Sequence, residues 1–498
     1  MNRFLSEALS FDWKKNALRP CRRVSFLPRE RYKVKNLNDK GIVVLGGGLA
    51  GLSSAFTLAK AGQPVKVFES DSGVGGLSKT MHYGDFRFDL GGHRFLTSNE
   101  QTENFVRDLL DGEYLTVPRK SKIFMNNRFF DYPLKPANAL LGLGMRTTFR
   151  ALADYGREKI KNSFRRPAHV SLEDWVVAHF GRTMFNIYFR EYSEKVWGLE
   201  CKSISEEWVS KRIEGLSLGV AIKNALFKFN GKKVPTLIDK FIYPALGIGR
   251  ISDRLKEEIE KGNSVSTSTR VTRIDHKGPF ITGIAAKNCE RAYDVKGREF
   301  ISSIPLTNLV KMLSPAPPGE IIEAASRLRY RDLVIVTILL DKERVTDLTW
   351  LYLPEKNMPL GRIHEPKNWS PRMAPEGKTS VVAEYFCFRE DRIWNSTDGE
   401  LTSITVRELE KLGFIRENEV LDSCVVRVPN AYPVFEVGYN EHYSGILKYL
   451  EKFKNLHIIG RSGMFRYYNM DRAIETGIET AENIIQNSKL KTQRRDSL

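Results

Sequence analysis

Three glycines, Gly46, Gly48 and Gly51, follow the apolar stretch Ile42–Leu45 with the spacing G-x-G-x-x-G, and Glu69 closes the next apolar stretch, Val65–Phe68. The first glycine permits a tight turn, the second lets backbone approach a pyrophosphate, and the third brings a helix close to a strand. A helix starting there aims its free N–H groups at phosphate, and a carboxylate at Glu69 accepts hydrogen bonds from a ribose. The chemistry is dinucleotide binding. A second glycine loop, "DSGVGGLSKT", places Gly73, Gly75 and Gly76 just beyond Glu69, with Ser78 after them. NAD needs no such loop, whereas the longer FAD does. Next, "GDFRFDLGGHRF" runs from a strand into the pair Gly91-Gly92 and then His93, where backbone can lie close to a flavin ring.

These residues need elements to hold them. "GIVVLGGGLAGLSSAFTLAKAGQPVKVFES" reads as a strand Ile42–Leu45, a helix to about Ala61 and a strand Val65–Phe68, one βαβ unit. Far downstream, "NLHIIGRSGMFRYYNMDRAIETGIETAENII" supplies a strand Leu456–Ile459, then Gly460 and Gly463, then a helix with Ile474, Ile478, Ala481 and Ile485 on one face. That segment is expected to add a strand beside the first glycine loop. Its helix N-terminus would stabilise negative charge on a flavin, with Asn469 or Asp471 as the cap.

Composition narrows the partners. The 498 residues carry 78 Lys and Arg against 60 Asp and Glu, a formal charge of +18. Such an excess favours an anionic partner: nucleic acid, a membrane surface or a phosphorylated substrate. The clusters sit in "RPCRRVSFLPRERYKVK" and "KLKTQRR" at the two ends, which argues for solvated arms, with peripheral membrane contact through the first, and against a nucleic-acid groove. The expected partner is therefore an anionic small molecule. The five cysteines are scattered and lack a C-x-x-C pair, so neither a disulfide framework nor a metal site is expected, and a reducing cytoplasm is the default compartment. No apolar run approaches the roughly 20 residues of a membrane span, and charges interrupt the first apolar residues, unlike a signal peptide.

The glycine loops and the closing C-terminal strand resemble the FAD superfamily of amine oxidases, protoporphyrinogen oxidases and phytoene desaturases. Within it, "GGHRF", "NRFFDYPL", "FREYSEKVWG", "LRYRDL", "GRIHEPKNW", "AYPV" and "GRSGMFRYYNMD" are similar, in type and order, to stretches of UDP-galactopyranose mutases. The resemblance spans roughly residues 41 to 487. It implies an α/β fold with α+β inserts: a Rossmann-like FAD-binding domain of glutathione-reductase type, built discontinuously from 38–115, 240–310 and 455–487. A mainly helical insert would occupy 116–239 and a β-rich substrate domain 311–454, with a basic arm at 1–37 and a basic tail at 488–498. The expected FAD contacts are Gly46, Gly48, Gly51, Glu69, Gly75, Gly76, Ser78, Gly92, His93, Val271, Gly460, Arg461, Asn469 and Met470.

Carried over residue by residue, the resemblance makes Arg362 a pyrophosphate clamp, with Tyr432 and Tyr467 donating hydroxyls to the same phosphates. Independently of any family, an arginine fork fits phosphate with two bonds and a tyrosine adds an uncharged donor; the alternative for Arg362 is an ion pair with Glu365. The resemblance also places Arg461 near the flavin, Asn469 near sugar hydroxyls and Trp197 along the substrate wall, and completes a catalytic set of Arg362, Tyr432, Tyr467, His93 and Asn469. One departure stands out. Bacterial mutases carry a second phosphate-binding arginine shortly after a Lys-Arg-Ile stretch, and here Lys211-Arg212-Ile213 leads to Leu216, with Arg212, Lys223 or Lys228 as substitutes. Two chemistries stay open: flavin-dependent rearrangement of a nucleotide sugar or related phosphorylated sugar, and hydride transfer to flavin from an amine, porphyrinogen or polyene.

Overall fold

Ile42, Val43, Val44 and Leu45 form β1 and are all fully buried. A strand that buries both faces belongs inside a parallel sheet. β1 pairs in parallel with β2 (Val65–Phe68) on one side and β13 (Glu299–Ser302) on the other. β9 (Ser264–Ser266) and β20 (Leu456–Ile458) complete the order β20-β13-β1-β2-β9. The closing strand thus ends one residue earlier than expected and joins β13 instead of β1. The computed structural model describes residues 41–132, 144–164, 169–210 and 240–496. The basic arm 1–37, Arg212, Leu216, Lys223 and Lys228 lie outside the described residues.

The helices Leu49–Lys60 and Met470–Asp496 cross at Gly477. A Cβ there would stand 2.2 Å from the Ala50 carbonyl oxygen and 2.3 Å from Ser53 Oγ, so glycine lets the two backbones touch. Ser53 Oγ donates to the Ile474 carbonyl at 3.0 Å across the same contact. The helix that follows the first glycine loop is thereby fixed to the one that follows Gly460.

A second, seven-stranded sheet has the order β19-β15-β18-β17-β16-β6-β7. Its central strands are β15 (Tyr330–Leu340), buried along its whole length, β18 (Thr379–Cys387) and the long β19 (Val420–Pro433). The short β16 (Trp350–Tyr352) and β17 (Arg362–His364) connect them to the hairpin of β6 (Ser121–Met125) and β7 (Arg128–Tyr132). That hairpin therefore extends the β-rich sheet, although it lies within the segment read as the helical insert. The helices Met145–Phe164, Leu172–Phe180 and Arg190–Trp197 follow it, the second opened by a Ser171–Asp174 capping box. A four-stranded sheet has the order β12-β11-β10-β14, made of β10 (Arg270–Lys277), β11 (Phe280–Lys287), β12 (Ala292–Lys296) and β14 (Leu313–Ser314). Two further pairs, β3 (Thr80–Tyr83) with β4 (Phe86–Asp89) and β5 (Tyr114–Pro118) with β8 (Lys240–Pro244), brace the space between the layers.

Asp89, at the end of β4, ties these pairs together. Its carboxylate accepts from Thr80 Oγ1 at 2.6 Å, Tyr243 Oη at 2.6 Å and the Ile248 amide at 3.2 Å. Burial pushes its pKa up to about 6 against the pull of those three donors. An acid whose pKa rises on folding binds its proton more tightly in the native state. Its stabilising contribution is full below about 4 and is lost as pH rises through about 6. Asp89→Asn is therefore expected to gain stability relative to wild type between pH 4.5 and 7.5, by at most about 3 kcal/mol. Urea denaturation of both proteins at the two pH values checks this, and a constant difference would contradict it.

Candidate active site

The first two glycine loops meet backbone to backbone. Gly48 bridges Gly75, and the Gly75 amide donates to the Gly47 carbonyl at 2.8 Å. Gly46 adopts φ +104°, and a Cβ on it would press to 2.3 Å from Ser303 Oγ. Gly51 is closed more tightly still, with a Cβ 2.0 Å from the Gly46 carbonyl oxygen. Gly48 differs: nothing lies within 4 Å of its Cβ position, so its open side faces the cavity. Glu69, at the end of β2, receives the Gly47 amide at 2.7 Å and the Asp71 amide at 2.8 Å. These bonds pin the carboxylate over the loop and leave it acceptor capacity for a ribose hydroxyl.

A cavity of 1260 Å³ begins at these loops and continues to the second sheet. Gly46, Gly48, Glu69, Gly75, Gly76, Ser78, Gly92, His93, Val271, Gly460, Arg461, Asn469 and Met470 all line it, as do Arg362, Tyr432 and Tyr467. Gly51 stands behind the wall, under Gly46. The helix at Met470 begins directly after Asn469, whose carbonyl accepts the Ala473 amide at 3.0 Å. Asn469 thus occupies the cap position, and Asp471 lies inside the first turn.

Arg362 projects from β17 and meets Glu384 on β18, its direct cross-strand partner. Nε donates to Glu384 Oε1 at 3.0 Å, Nη2 donates to Oε2, and Nη2 also reaches Tyr432 Oη at 3.4 Å. The Glu384 side chain is fully buried while that of Arg362 is 21% exposed, so the fork keeps a face toward the cavity. Burial works against the Arg362 charge, and Glu384 more than offsets it, holding the guanidinium well above its ordinary pKa. Glu384 Oε1 also accepts the Gly92 amide at 3.1 Å. One carboxylate therefore holds both Arg362 and the turn at Gly92.

Arg461 has the opposite character. Its guanidinium carbon sits 4.5 Å from the Tyr432 ring centre and 4.4 Å from that of Tyr467, and the two rings stack 5.7 Å apart. Nη1 donates to the Tyr468 carbonyl at 3.4 Å. Nε and Nη2 are buried without a partner among the described residues. His93 has a buried, unpartnered Nδ1, and burial pushes its pKa down to about 4, opposed by Glu384. His364 falls to about 3 through burial and the nearby Arg362. Both imidazoles are neutral at pH 7, and Arg94 lines the same cavity, 5.0 Å from the Trp350 ring centre, so with Glu384 offsetting Arg362 this wall keeps the positive charges of Arg94 and Arg461.

Several placements differ from the sequence reading. Glu365 does not pair with Arg362; it is fully buried and takes the Val345 and Thr346 amides and the Thr379 hydroxyl. Trp197 is not on the substrate wall. It is 1% exposed and lies behind the site, edge-on to Tyr432 at 6.3 Å, Tyr467 at 6.1 Å and Trp208 at 5.1 Å, a backing for the tyrosines. Arg331 sets that backing by donating to the Lys195 and Val196 carbonyls where Trp197's helix ends. Glu384 was missed, although an acid between Ala383 and Tyr385 in an otherwise apolar strand is the signal that could have found it.

The flavin-containing amine oxidoreductase model matches residues 49–485. The chain belongs to that family. Its cofactor is FAD, and the chain is a flavoenzyme of the oxidoreductase superfamily. The crystal structure of a reduced UDP-galactopyranose mutase superposes with a TM-score of 0.76 at 22% identity, covering 90% of this chain and 94% of that one. A probable UDP-galactopyranose mutase of Klebsiella pneumoniae is 22% identical over 462 residues, 90% of this chain and 96% of the relative. An L-amino-acid oxidase of Crotalus adamanteus is 31% identical, but only over 114 residues, so the match spans 22% of the oxidase. Among the described residues no helix is long and apolar enough to cross a membrane.

The cradle fits FAD on its own geometry: two fused glycine loops with an open approach at Gly48, and an acceptor at Glu69. Gly48 has φ −75°, a value any residue adopts, so a larger side chain there enters the cavity without strain. Gly48→Leu is expected to give a folded but colourless protein. Visible absorbance together with thermal melting checks it, and a yellow, fully loaded variant would remove the site.

Proposed function

We propose that this flavoenzyme takes an anionic sugar-type substrate, a nucleotide sugar or related phosphorylated sugar, and rearranges it as mutases do. The observation that carries this reading is the cluster of Arg362, Arg461, Tyr432 and Tyr467 lining one cavity, with the Arg461 guanidinium over both tyrosine rings. Cationic forks and hydroxyls gathered on one wall suit an anionic group. Tyr432 and Tyr467 add hydroxyls at the same edge, and Arg362 adds the exposed face of a fork that Glu384 orients. When bound, the flavin supplies a nucleophilic nitrogen in its reduced form or a hydride acceptor in its oxidised form. The protein's part is positioning: the charges would hold the leaving anion, and Asn469, which lines the cavity, would meet the sugar hydroxyls.

A second reading rests on the Arg362–Glu384 pair. Glu384 cancels the charge of Arg362, which leaves less positive charge for a diphosphate at that fork, and a hydride-transfer oxidoreductase acting on a smaller acid fits that pairing. The two readings part experimentally. With dithionite-reduced enzyme, UDP-galactopyranose should be converted to the other ring form, and Arg461→Gln should weaken nucleotide binding by about 1.5–3 kcal/mol while the flavin stays bound. Arg362→Ala alone is a poor probe, since it strands Glu384 in the interior at a cost of about 3–5 kcal/mol. The paired variant Arg362→Gln with Glu384→Gln avoids that charge and should lose conversion while remaining folded. No conversion by wild type, with bleaching of oxidised flavin by an amino acid or another organic acid, would favour the oxidoreductase.

A further inference from the structure

The helix Met145–Phe164 turns an apolar face to water. Its buried residue is Ala151, on the side that meets the helix Leu172–Phe180. Met145, Phe149, Leu152, Ile160 and Phe164 are exposed instead, Met145 to 89% and Phe164 to 87%. Steps of four, three, eight and four residues bring all five onto one stripe along a helix about 30 Å long. Gly156 falls in the same stripe, with nothing within 4 Å of its Cβ position. Burying such side chains is worth about 1.5–3 kcal/mol each, so the exposed stripe marks a surface that meets something.

The charges beside the stripe select the partner. Arg146, Arg150, Arg157, Lys159 and Lys161 are all exposed on this helix. Among the described residues Arg146, Arg150 and Arg157 make no ion pair, and Lys161 stands 3.9 Å from Glu158. A second copy of the chain would bring two cationic rims together, and nucleic acid offers no apolar bed for two phenylalanines. Anionic lipid offers both a negative headgroup layer and an apolar layer beneath it. We propose that this face docks the enzyme on an anionic membrane surface, the helix lying in the interfacial plane with Phe149, Ile160 and Phe164 at the acyl boundary and the arginines among the headgroups.

The test is co-sedimentation of the full-length, FAD-loaded protein with phosphatidylcholine vesicles, with and without phosphatidylglycerol. Wild type should bind the anionic vesicles and release as salt screens the cations. Phe149→Glu with Ile160→Glu lies on an exposed face and should keep the flavin spectrum and melting temperature while weakening binding about tenfold or more. Arg146→Gln, Arg150→Gln and Arg157→Gln together should weaken it by about a hundredfold, at about fivefold per cation. A chain lacking residues 1–35 should retain most of the binding, which separates this face from the basic arm. The proposal is overturned if wild type ignores anionic vesicles at low salt, if the double glutamate variant binds as well as wild type, or if binding disappears with the arm. It is also overturned if light scattering shows a wild-type dimer that the double variant dissolves, since the stripe is then a subunit interface.

Discussion

Glu384 is the residue on which the two halves of the site depend. It is fully buried, it grips Arg362 through both oxygens, and it takes the Gly92 amide from the turn before His93. A buried carboxylate without partners is expensive, and with one arginine and one amide it is satisfied. The consequence is geometric. The Gly91-Gly92 turn follows β4, and Arg362 belongs to the second sheet, yet both are referenced to one side chain. A shift of either would strand the charge.

The electrostatics follow from the same pair. Glu384 cancels Arg362 in net charge while keeping it protonated and oriented, and burial keeps His93 and His364 neutral. What remains is Arg94, over the Trp350 ring, and Arg461, held by the faces of Tyr432 and Tyr467 and not by a carboxylate. Trp197 and Trp208 close the back of that arrangement, and Arg331 caps the helix carrying Trp197. The tyrosines are thus positioned from behind by aromatic packing and in front by the Arg461 guanidinium.

Much of the cofactor side was legible in the sequence because its physics is local. Strands Ile42–Leu45 and Val65–Phe68 coincide with β1 and β2 to the residue, since an apolar run bounded by glycines or an acid has few other readings. The closing strand near Leu456 was visible for the same reason, but its neighbour was not: that it joins β13 depends on sheet order, which no local pattern records. The substrate side was legible only through family resemblance. Arg362 and Glu384 are 22 residues apart, and their pairing depends on the register of β17 against β18. Sequence proximity pointed to Glu365 instead, which folds back onto the loop at Val345 and Thr346. Trp197 shows a further limit, because a large aromatic suits a cavity wall and the layer behind it equally well, and only three-dimensional packing decides.

Arg461, Arg362 and the two tyrosines are expected to receive an anionic substrate group in the cavity. Titration of the FAD-loaded protein, oxidised and dithionite-reduced, with UDP and with UMP, read in the flavin absorption spectrum, tests it most directly. A saturable spectral change is expected for at least one nucleotide, weakening as salt is raised. No spectral response to either nucleotide in either redox state would contradict it.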